Sequence, residues 1–162
     1  MREILFKAKR IDNGEWVEGS LIDLDIDSGY CYIVPPYKKA SILPINFLIT
    51  DRMKLVDPKT LCQFTELTDK NGKRIWENDI LMCHGNSEDL VKVAFGEFSV
   101  RNIETGSIVD KVIGWYYEVV PTDAISRCEP FSWSMPLTEY YIDRCEMEVV
   151  DNPELLQEES DE

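Results

Sequence analysis

The stretch from Thr60 to Cys83 constrains the fold of this sequence more than any other part. Two segments rich in apolar residues flank the pair Asn71-Gly72, and this dipeptide readily takes the positive φ angles of a tight hairpin turn. The stretch therefore predicts a strand, a turn and a second strand, against which the rest of the chain packs.

Two registers are open for this hairpin. A two-residue loop places Asp69 opposite Arg74, which is a favourable charge pair. The same register places Lys70 beside Lys73, which is unfavourable. A longer loop that starts at Asp69 is therefore the alternative, and Asn71 and Gly72 lie at the bend in both cases.

Asn78 marks a second change of direction. It precedes Asp79 and the apolar run Ile80–Met82, and asparagine tolerates the left-handed conformation. A positive φ here would redirect the strand across the core, as at the entry to a strand of a small half-open barrel.

An earlier hairpin is predicted from Glu3 to Leu24, around Asn13-Gly14. A two-residue turn would place Lys9 opposite Glu18. The alternation of apolar and polar residues along each strand then gives the hairpin one packed face and one solvated face. The packed face carries Ile4, Phe6, Ala8, Val17 and Leu21, and the solvated face carries Lys7, Lys9, Glu18 and Ser20.

The remaining chain predicts short strands separated by turns, which favours a mainly β architecture. The further strands are Tyr30–Val34, Ile42–Ile49, Leu90–Phe95, Phe98–Ile103, Ile108–Val120 and Glu139–Val150, with turns at Gly96 and Thr105-Gly106. For Glu139–Val150 a helix is the alternative. Three prolines make Pro121–Pro136 irregular, and Asn152-Pro153 favours a short C-terminal helix over 152–156.

The expected fold combines antiparallel hairpins with a small SH3-like half-open barrel part and that C-terminal helix. The expected domains are an N-terminal hairpin subdomain at 1–57, a barrel-like core at 58–150, and the helix with an acidic, disordered tail at 151–162. Hydrophobic residues at 44% and aromatic residues at 10% are typical of an ordered protein with a substantial core.

The formal net charge of −14 is unevenly distributed. Residues 1–60 contain nine of the 17 basic and nine of the 31 acidic residues, so the net charge lies entirely after residue 60. Such a field opposes direct binding to nucleic acid or to anionic membranes. Five cysteines without a Cys-x-x-Cys spacing, and no long apolar segment, predict a reduced cytoplasmic protein.

No catalytic, cofactor or metal site is predicted. His84 is the only histidine, and if it shares a strand with Cys83 the two side chains point to opposite faces. Asp23, Asp25 and Asp27 resemble part of a calcium loop, but the central glycine and closing glutamate are missing. A solvated strand edge or turn is the better interpretation of these three carboxylates.

Aromatic residues of the later chain form a possible interface. They are Trp115, Tyr116, Tyr117, Phe131, Trp133, Tyr140 and Tyr141. Consecutive residues of a strand face both ways, so some rings must lie off the core, where a partner subunit would remove them from water. A second layer of the same chain could cover them instead.

Three segments together resemble the YopX family of phage and prophage proteins. They are Arg2–Lys9, Cys62–Leu81 and Asn152–Leu156, and the chain departs from the family at Glu66 and Asn78, where glycine is usual. The resemblance implies a mainly β protein with a barrel-like part, encoded by phages or prophages of low-GC Gram-positive bacteria and often oligomeric. It implies no established enzymatic activity.

Three functional hypotheses follow. The first is a non-enzymatic phage or prophage accessory protein that forms homo-oligomers and binds another protein of phage or host. The second is acidic mimicry of nucleic acid, in which the carboxylates after Thr60 occupy a basic site on a nucleic-acid-binding protein. The third is an enzyme of a type that no motif reveals.

Overall fold

The computed structural model describes residues 2–25, 27–36 and 52–150. These residues form antiparallel sheets, which confirms the mainly β class. The chain divides into two compact units, Met1–Glu66 and Leu67–Glu162. The strand predicted at 42–49, the helix at 152–156 and the acidic tail lie outside the described residues.

The first unit is an antiparallel sheet around a small core. Its strands are β1 (Phe6–Lys9), β2 (Trp16–Asp25), β3 (Tyr30–Val34), β4 (Lys54–Val56) and the start of β5 (Cys62–Thr68), and a 3-10 helix spans Pro58–Thr60. The strand order is β4-β3-β2-β1-β5. The fully buried core residues are Ala8, Cys31, Ile33 and Val56, with Phe6, Val17 and Leu21 packed around them. Ile4, predicted to join this face, lies before β1 and is 59% exposed.

The first hairpin closes with a longer loop than the two-residue turn predicted. Lys9 lies opposite Trp16 rather than opposite Glu18. Residues 11–14 form the loop, and Gly14 takes the left-handed conformation at φ 71°. Because the register moves by two residues, the strand side chains keep their predicted faces.

The second unit is built on a long antiparallel pair. Its elements are β6 (Arg74–Trp76), β7 (Ile80–Met82), β8 (Leu90–Arg101), β9 (Ile108–Val119), β10 (Met135–Pro136), helix α1 (Glu139–Arg144) and β11 (Glu148–Val149). The sheet order is β10-β9-β8-β7-β11, and this sheet is open within the described residues. Its core contains Ile75, Leu81, Cys83, Val91, Val93, Tyr117, Leu137, Ile142 and Met147.

The central hairpin uses the longer loop that the sequence left open. The Asp69 N–H donates to the Lys73 carbonyl at 2.8 Å, and the Gly72 N–H donates to the Asp69 carbonyl at 2.9 Å. The Asp69 carboxylate is buried and accepts the N–H groups of Asn71, Lys73 and Val149 at 2.8, 2.9 and 3.0 Å. One side chain therefore holds both the loop and the distant strand β11.

Two predicted elements are wrong in this unit. The turn expected at Gly96 is absent, because β8 runs straight through it and Gly96 pairs with Gly114 of β9. The strand expected over 139–150 begins instead as α1, which was the alternative, and only its end is the strand β11. The side chain of Thr138 caps α1 by accepting the Tyr141 N–H at 3.3 Å.

No helix in the described part of the chain combines the length and apolar composition needed to cross a membrane.

Candidate functional site

Three consecutive aromatic residues of β9 separate onto the two faces of the sheet. Tyr117 is buried in the core of the second unit, and Trp115 packs against that core from the same face. Tyr116 lies on the opposite face, where its ring stacks on Phe98 with centroids 5.1 Å apart. The candidate interface residues of this strand therefore do not form one surface.

The other candidate aromatics differ in exposure. Tyr141 is half-buried and touches Tyr117 edge-on, with ring centroids 6.3 Å apart. Tyr140 is 61% exposed and Phe131 is 62% exposed, whereas Trp133 is half-buried. Phe131 and Tyr140 are thus the two candidate rings that water reaches most.

Sequence reasoning missed a longer apolar surface at the end of the β8–β9 pair. Described strands flank this pair only near its base, because β7 pairs with Leu90–Lys92 and β10 pairs with Tyr116–Tyr117. We call residues 94–114 the ribbon tip. Its exposed apolar residues are Phe95 (53%), Ile103 (74%), Ile108 (50%), Val109 (66%) and Ile113 (74%).

Phe95 links the ribbon tip to the aromatic residues of β9. It lies opposite Trp115, and the two rings make an edge-on contact with centroids 5.0 Å apart. The Trp115 Nε1 is buried and has no hydrogen-bond partner among the described residues. Phe95 and Ile113 thus form a short exposed apolar row on the same face as the half-buried Trp115, and the ion pair of Glu97 and Lys111 lies beside them on that face.

A groove lies beside the ribbon, and Tyr116 of β9 lines it. The Tyr116 ring lies 4.0 Å from where a Cβ of Gly96 would be. The Tyr116 hydroxyl donates to Glu118 Oε1 at 3.1 Å. Burial, and then this carboxylate, raise the pKa of Tyr116.

The groove has a volume of about 440 Å³ and lies between the ribbon and residues 129–134. Its carboxylates are Glu97, Glu118 and Glu129; its other lining residues are Phe98, Ser99, Arg101, Tyr116, Ser132, Trp133 and Ser134. The Arg101 guanidinium lies 5.5 Å from the centre of the Trp133 ring and donates to the Gly106 carbonyl at 3.0 Å. Both contacts fix this cation against its own chain.

The family model described as YopX protein matches residues 5–157. The chain belongs to the YopX protein family. The match confirms the resemblance that was inferred from the central hairpin and the two terminal segments. No curated protein matches the chain.

The two positions where this YopX protein departs from glycine are both left-handed. Glu66 has φ 70° and Asn78 has φ 67°. The Asp79 N–H donates to the Trp76 carbonyl at 3.1 Å, so Asn78 is the third residue of a turn that requires positive φ at that place. The left-handed conformation predicted at Asn78 is therefore confirmed.

The only cysteine-histidine neighbours of the YopX chain are not arranged for nucleophilic chemistry. Burial raises the pKa of the Cys83 thiol to about 12, so the thiol is protonated at neutral pH. His84 does not continue the strand, because it forms a turn with Gly85 in which both φ angles are positive, at 52° and 65°. Its Nδ1 lies 3.8 Å from Oε2 of Glu146, and both side chains are exposed.

Carboxylates, cysteines and the histidine do not cluster as metal ligands in the part of this YopX protein that the structure describes. Asp23 and Asp25 are exposed at the end of β2. The Asp25 carboxylate accepts the Ser28 N–H at 3.2 Å, as expected of a turn.

Proposed function

We propose that this YopX protein is a non-enzymatic accessory protein of a phage or prophage, which acts in the host cytoplasm, self-associates and binds another protein. The observation that supports self-association most directly is the exposure of apolar side chains along the ribbon tip. Exposed apolar patches mark association sites in soluble proteins.

The backbone of the ribbon tip supports the same proposal. Among the described residues, nothing pairs with β8 beyond Val93 on the side that β7 occupies, and on the side of β10 the pairing with β9 ends at Trp115, whose carbonyl accepts the Leu137 N–H at 3.0 Å. A two-stranded ribbon is marginally stable alone, and its unpaired edges can accept a strand from another molecule. A second copy would cover the apolar row and pair an edge.

Two cysteine thiols among the described residues are not activated as nucleophiles, which supports the non-enzymatic part of the proposal. The Cys83 thiol has its pKa raised to about 12 by burial, whereas catalytic cysteines have lowered pKa values. Cys145 has a pKa raised by burial and by Asp89. These thiols behave as packing groups of the core.

Light scattering of the full chain tests self-association. The variant Ile113→Lys places a charge on the apolar row opposite Glu97, so it disfavours association without unfolding the ribbon. We expect a self-dissociation constant at least tenfold higher, since burying one isoleucine is worth about 1.5–3 kcal/mol. The matched control is Ile125→Lys, because Ile125 is 63% exposed and lies outside the ribbon tip.

Two results would contradict the proposal. A wild-type mass of 18.8 kDa at every concentration would exclude self-association. Equal weakening by Ile113→Lys and Ile125→Lys would show that association uses another surface.

Mimicry of nucleic acid is the second candidate, favoured by the excess of carboxylates after residue 60. It requires capture of a nucleic-acid-binding protein that weakens steeply as salt is raised and that competes with DNA or RNA. Capture that is unchanged by salt and by added DNA or RNA would count against mimicry.

A further inference from the structure

The outer edge of β8 is open along the ribbon tip. Nearer the base, the Val93 N–H donates to the Asp79 carbonyl and the Val93 carbonyl accepts the Asn78 N–H, each at 2.9 Å, just before β7. The backbone groups of every second residue of an antiparallel strand point to the same side. The ribbon-tip residues whose groups point to this side are therefore Phe95, Glu97, Ser99 and Arg101. None of them has a backbone partner on this side among the described residues.

The same edge carries one acidic and one basic side chain. Glu97 and Arg101 are exposed and lie on either side of Ser99, and alternation places all three on one face of β8. The irregularity near the end of the ribbon does not interrupt this alternation, because the extra residue belongs to β9. The next residue, Asn102, still donates its N–H to Ser107 on the β9 side at 2.9 Å.

Both charged groups retain bonding capacity for a partner. Nη1 of Arg101 donates to the Gly106 carbonyl at 3.0 Å, and a guanidinium has five N–H donors. Oε1 of Glu97 lies 3.6 Å from Nζ of Lys111, and both side chains are more than half exposed. Such an exposed ion pair is weak. Glu97 and Arg101 are therefore able to form ion pairs with a second molecule.

Two-fold symmetry limits how two such edges can pair. When two copies pair antiparallel about a two-fold axis, the residue on the axis fixes the register. With Glu97 or Arg101 on the axis, like charges oppose each other. With Ser99 on the axis, Glu97 of each copy lies opposite the partner's Arg101, and exposed Phe95 lies near the partner's Ile103. The two registers in between leave both charges opposite neutral side chains.

The edge of β9 offers no such match. The Trp115 carbonyl accepts the Leu137 N–H on the side of β10, so the backbone groups of Ile113 and Lys111 also point to that side. About a two-fold axis, Lys111 would lie opposite Ile113, Trp115 or another Lys111 along β9, and none of these is acidic. Charge complementarity therefore favours the β8 edge.

We propose that two copies of this chain pair through the outer edges of β8, antiparallel and with Ser99 on the two-fold axis, which joins the two ribbons into one sheet. This inference rests on the proposed function, because it specifies how the copies self-associate. Each pair of opposed outward-facing residues exchanges two backbone hydrogen bonds. The ion pairs between Glu97 and the partner's Arg101 select the register.

Charge reversal in the full chain tests the register by light scattering. Glu97→Arg and Arg101→Glu each place like charges opposite each other at both ends of the contact, so we expect each to raise the self-dissociation constant about tenfold or more. The double variant Glu97→Arg/Arg101→Glu restores both ion pairs with their signs exchanged, so we expect it to recover most of the lost affinity. Urea midpoints confirm that each variant is folded.

The matched control is Arg127→Glu, which changes the net charge as Arg101→Glu does. Arg127 is exposed, lies outside the ribbon tip and also donates to a backbone carbonyl, that of Pro121. We expect this variant to change the self-dissociation constant by less than about twofold, because its only effect on association is through net charge, which salt screens.

Amide hydrogen exchange, followed by nuclear magnetic resonance, tests the backbone contact separately. The N–H groups of Glu97, Ser99 and Arg101 should exchange more slowly in concentrated than in dilute wild-type protein, because pairing with a second copy protects them. The N–H of Ile113, on the edge of β9, should exchange at the same rate at both concentrations.

Three outcomes would overturn the inference: a double variant no better than the single ones, equal weakening by Arg127→Glu, or protection of Ile113 in place of Ser99. If one of these occurs while the wild type still self-associates, only the assigned edge and register are wrong. If the wild type shows a mass of 18.8 kDa at every concentration, the proposed self-association fails as well.

Discussion

Replacing Asp69 with asparagine tests whether one buried carboxylate organises the second unit. Asp69 is 5% exposed. Its Oδ1 accepts the Asn71 and Lys73 N–H groups at 2.8 and 2.9 Å, and its Oδ2 accepts the Val149 N–H at 3.0 Å. The same side chain thus closes the hairpin loop and fixes the edge strand β11.

The magnitude follows from which bonds survive. In Asp69→Asn the remaining oxygen can keep the two bonds within the loop, but the amide nitrogen then faces the Val149 N–H, donor against donor. A charge-assisted bond is lost and a donor is left unsatisfied, so we expect the free energy of unfolding to fall by about 2 kcal/mol. Asp69→Ala removes all three acceptor contacts, and because the two loop N–H groups can be rehydrated, we expect about 3 kcal/mol.

The stabilisation that the Asp69 carboxylate provides depends on pH in a definite direction. Burial alone would raise the pKa of Asp69, but the N–H donors of Val149, Lys73 and Asn71, with the charge of Lys73, lower it overall. The folded pKa therefore lies below the unfolded value of about 3.9. The stabilisation is complete above that unfolded value and is lost as the pH falls through the folded pKa.

Urea unfolding followed by tryptophan fluorescence, at about pH 7, 5 and 3, measures these differences. The gap between wild type and Asp69→Asn should be constant from about pH 7 to 5 and should narrow at about pH 3. Asp143→Asn is the control, because this exposed helical carboxylate should change stability by less than about 0.5 kcal/mol. An Asp69→Asn loss that small at neutral pH, or a gap that widens in acid, would refute the reasoning.

Three further predictions concern packing and the backbone. Glu146→Gly should raise the free energy of unfolding by about 1 kcal/mol in a urea titration, because Glu146 ends α1 at φ 49°, where glycine is unstrained; a loss of stability would contradict this. Gly19→Ala should lower it by about 2 kcal/mol or more, since a Cβ would lie 2.1 Å from the Val34 carbonyl oxygen; an unchanged midpoint would show that the strands can separate there. In native protein, iodoacetamide should modify exposed Cys128 well before buried Cys83, whose pKa is raised to about 12; mass spectrometry showing equal rates would be evidence against that burial.

The two Asn-Gly pairs located the reversals of the chain but not their loop lengths. In both hairpins the glycine takes positive φ, at 71° for Gly14 and 79° for Gly72, and neither asparagine is among the described positions that do. Side chains stabilise the longer loops: Asn13 Oδ1 accepts the Glu15 N–H at 2.9 Å, and Asp69 performs the same role in the central hairpin. Such contacts depend on loop geometry that a dipeptide does not specify.

Helix α1 was hard to predict for a different reason. Six residues are too few for a helical period to stand out against the alternation expected of a strand. The local signals were Thr138 as a cap and Arg144 in the last turn. After the helix, the Met147 N–H donates to the Ile142 carbonyl at 2.9 Å, and both side chains are buried in the core, so tertiary packing stabilises the helix.

The groove could not have been found from the sequence. Its lining comes from β8, β9 and residues 129–134, and these meet because β10 pairs with Tyr116–Tyr117. Alternation along a strand predicted that the aromatic residues of β9 face both ways, but it did not show which of them face the core. Glu118 was the usable hint, since its position two residues after Tyr116 in a predicted strand places both on one side.

Glu66 and Asn78 indicate what determines the backbone conformation at two positions of this chain. Both keep the left-handed conformation although neither is glycine, at φ 70° and 67°. Such a conformation is unfavourable by about 1–2 kcal/mol for most side chains, so the surroundings must impose it. At Asn78 they do so through the backbone: its N–H donates to the Val93 carbonyl and the Val93 N–H donates to the Asp79 carbonyl, each at 2.9 Å. Because these hydrogen bonds to β8 fix the backbone of Asn78 and Asp79, the turn forms without the glycine that would favour it most.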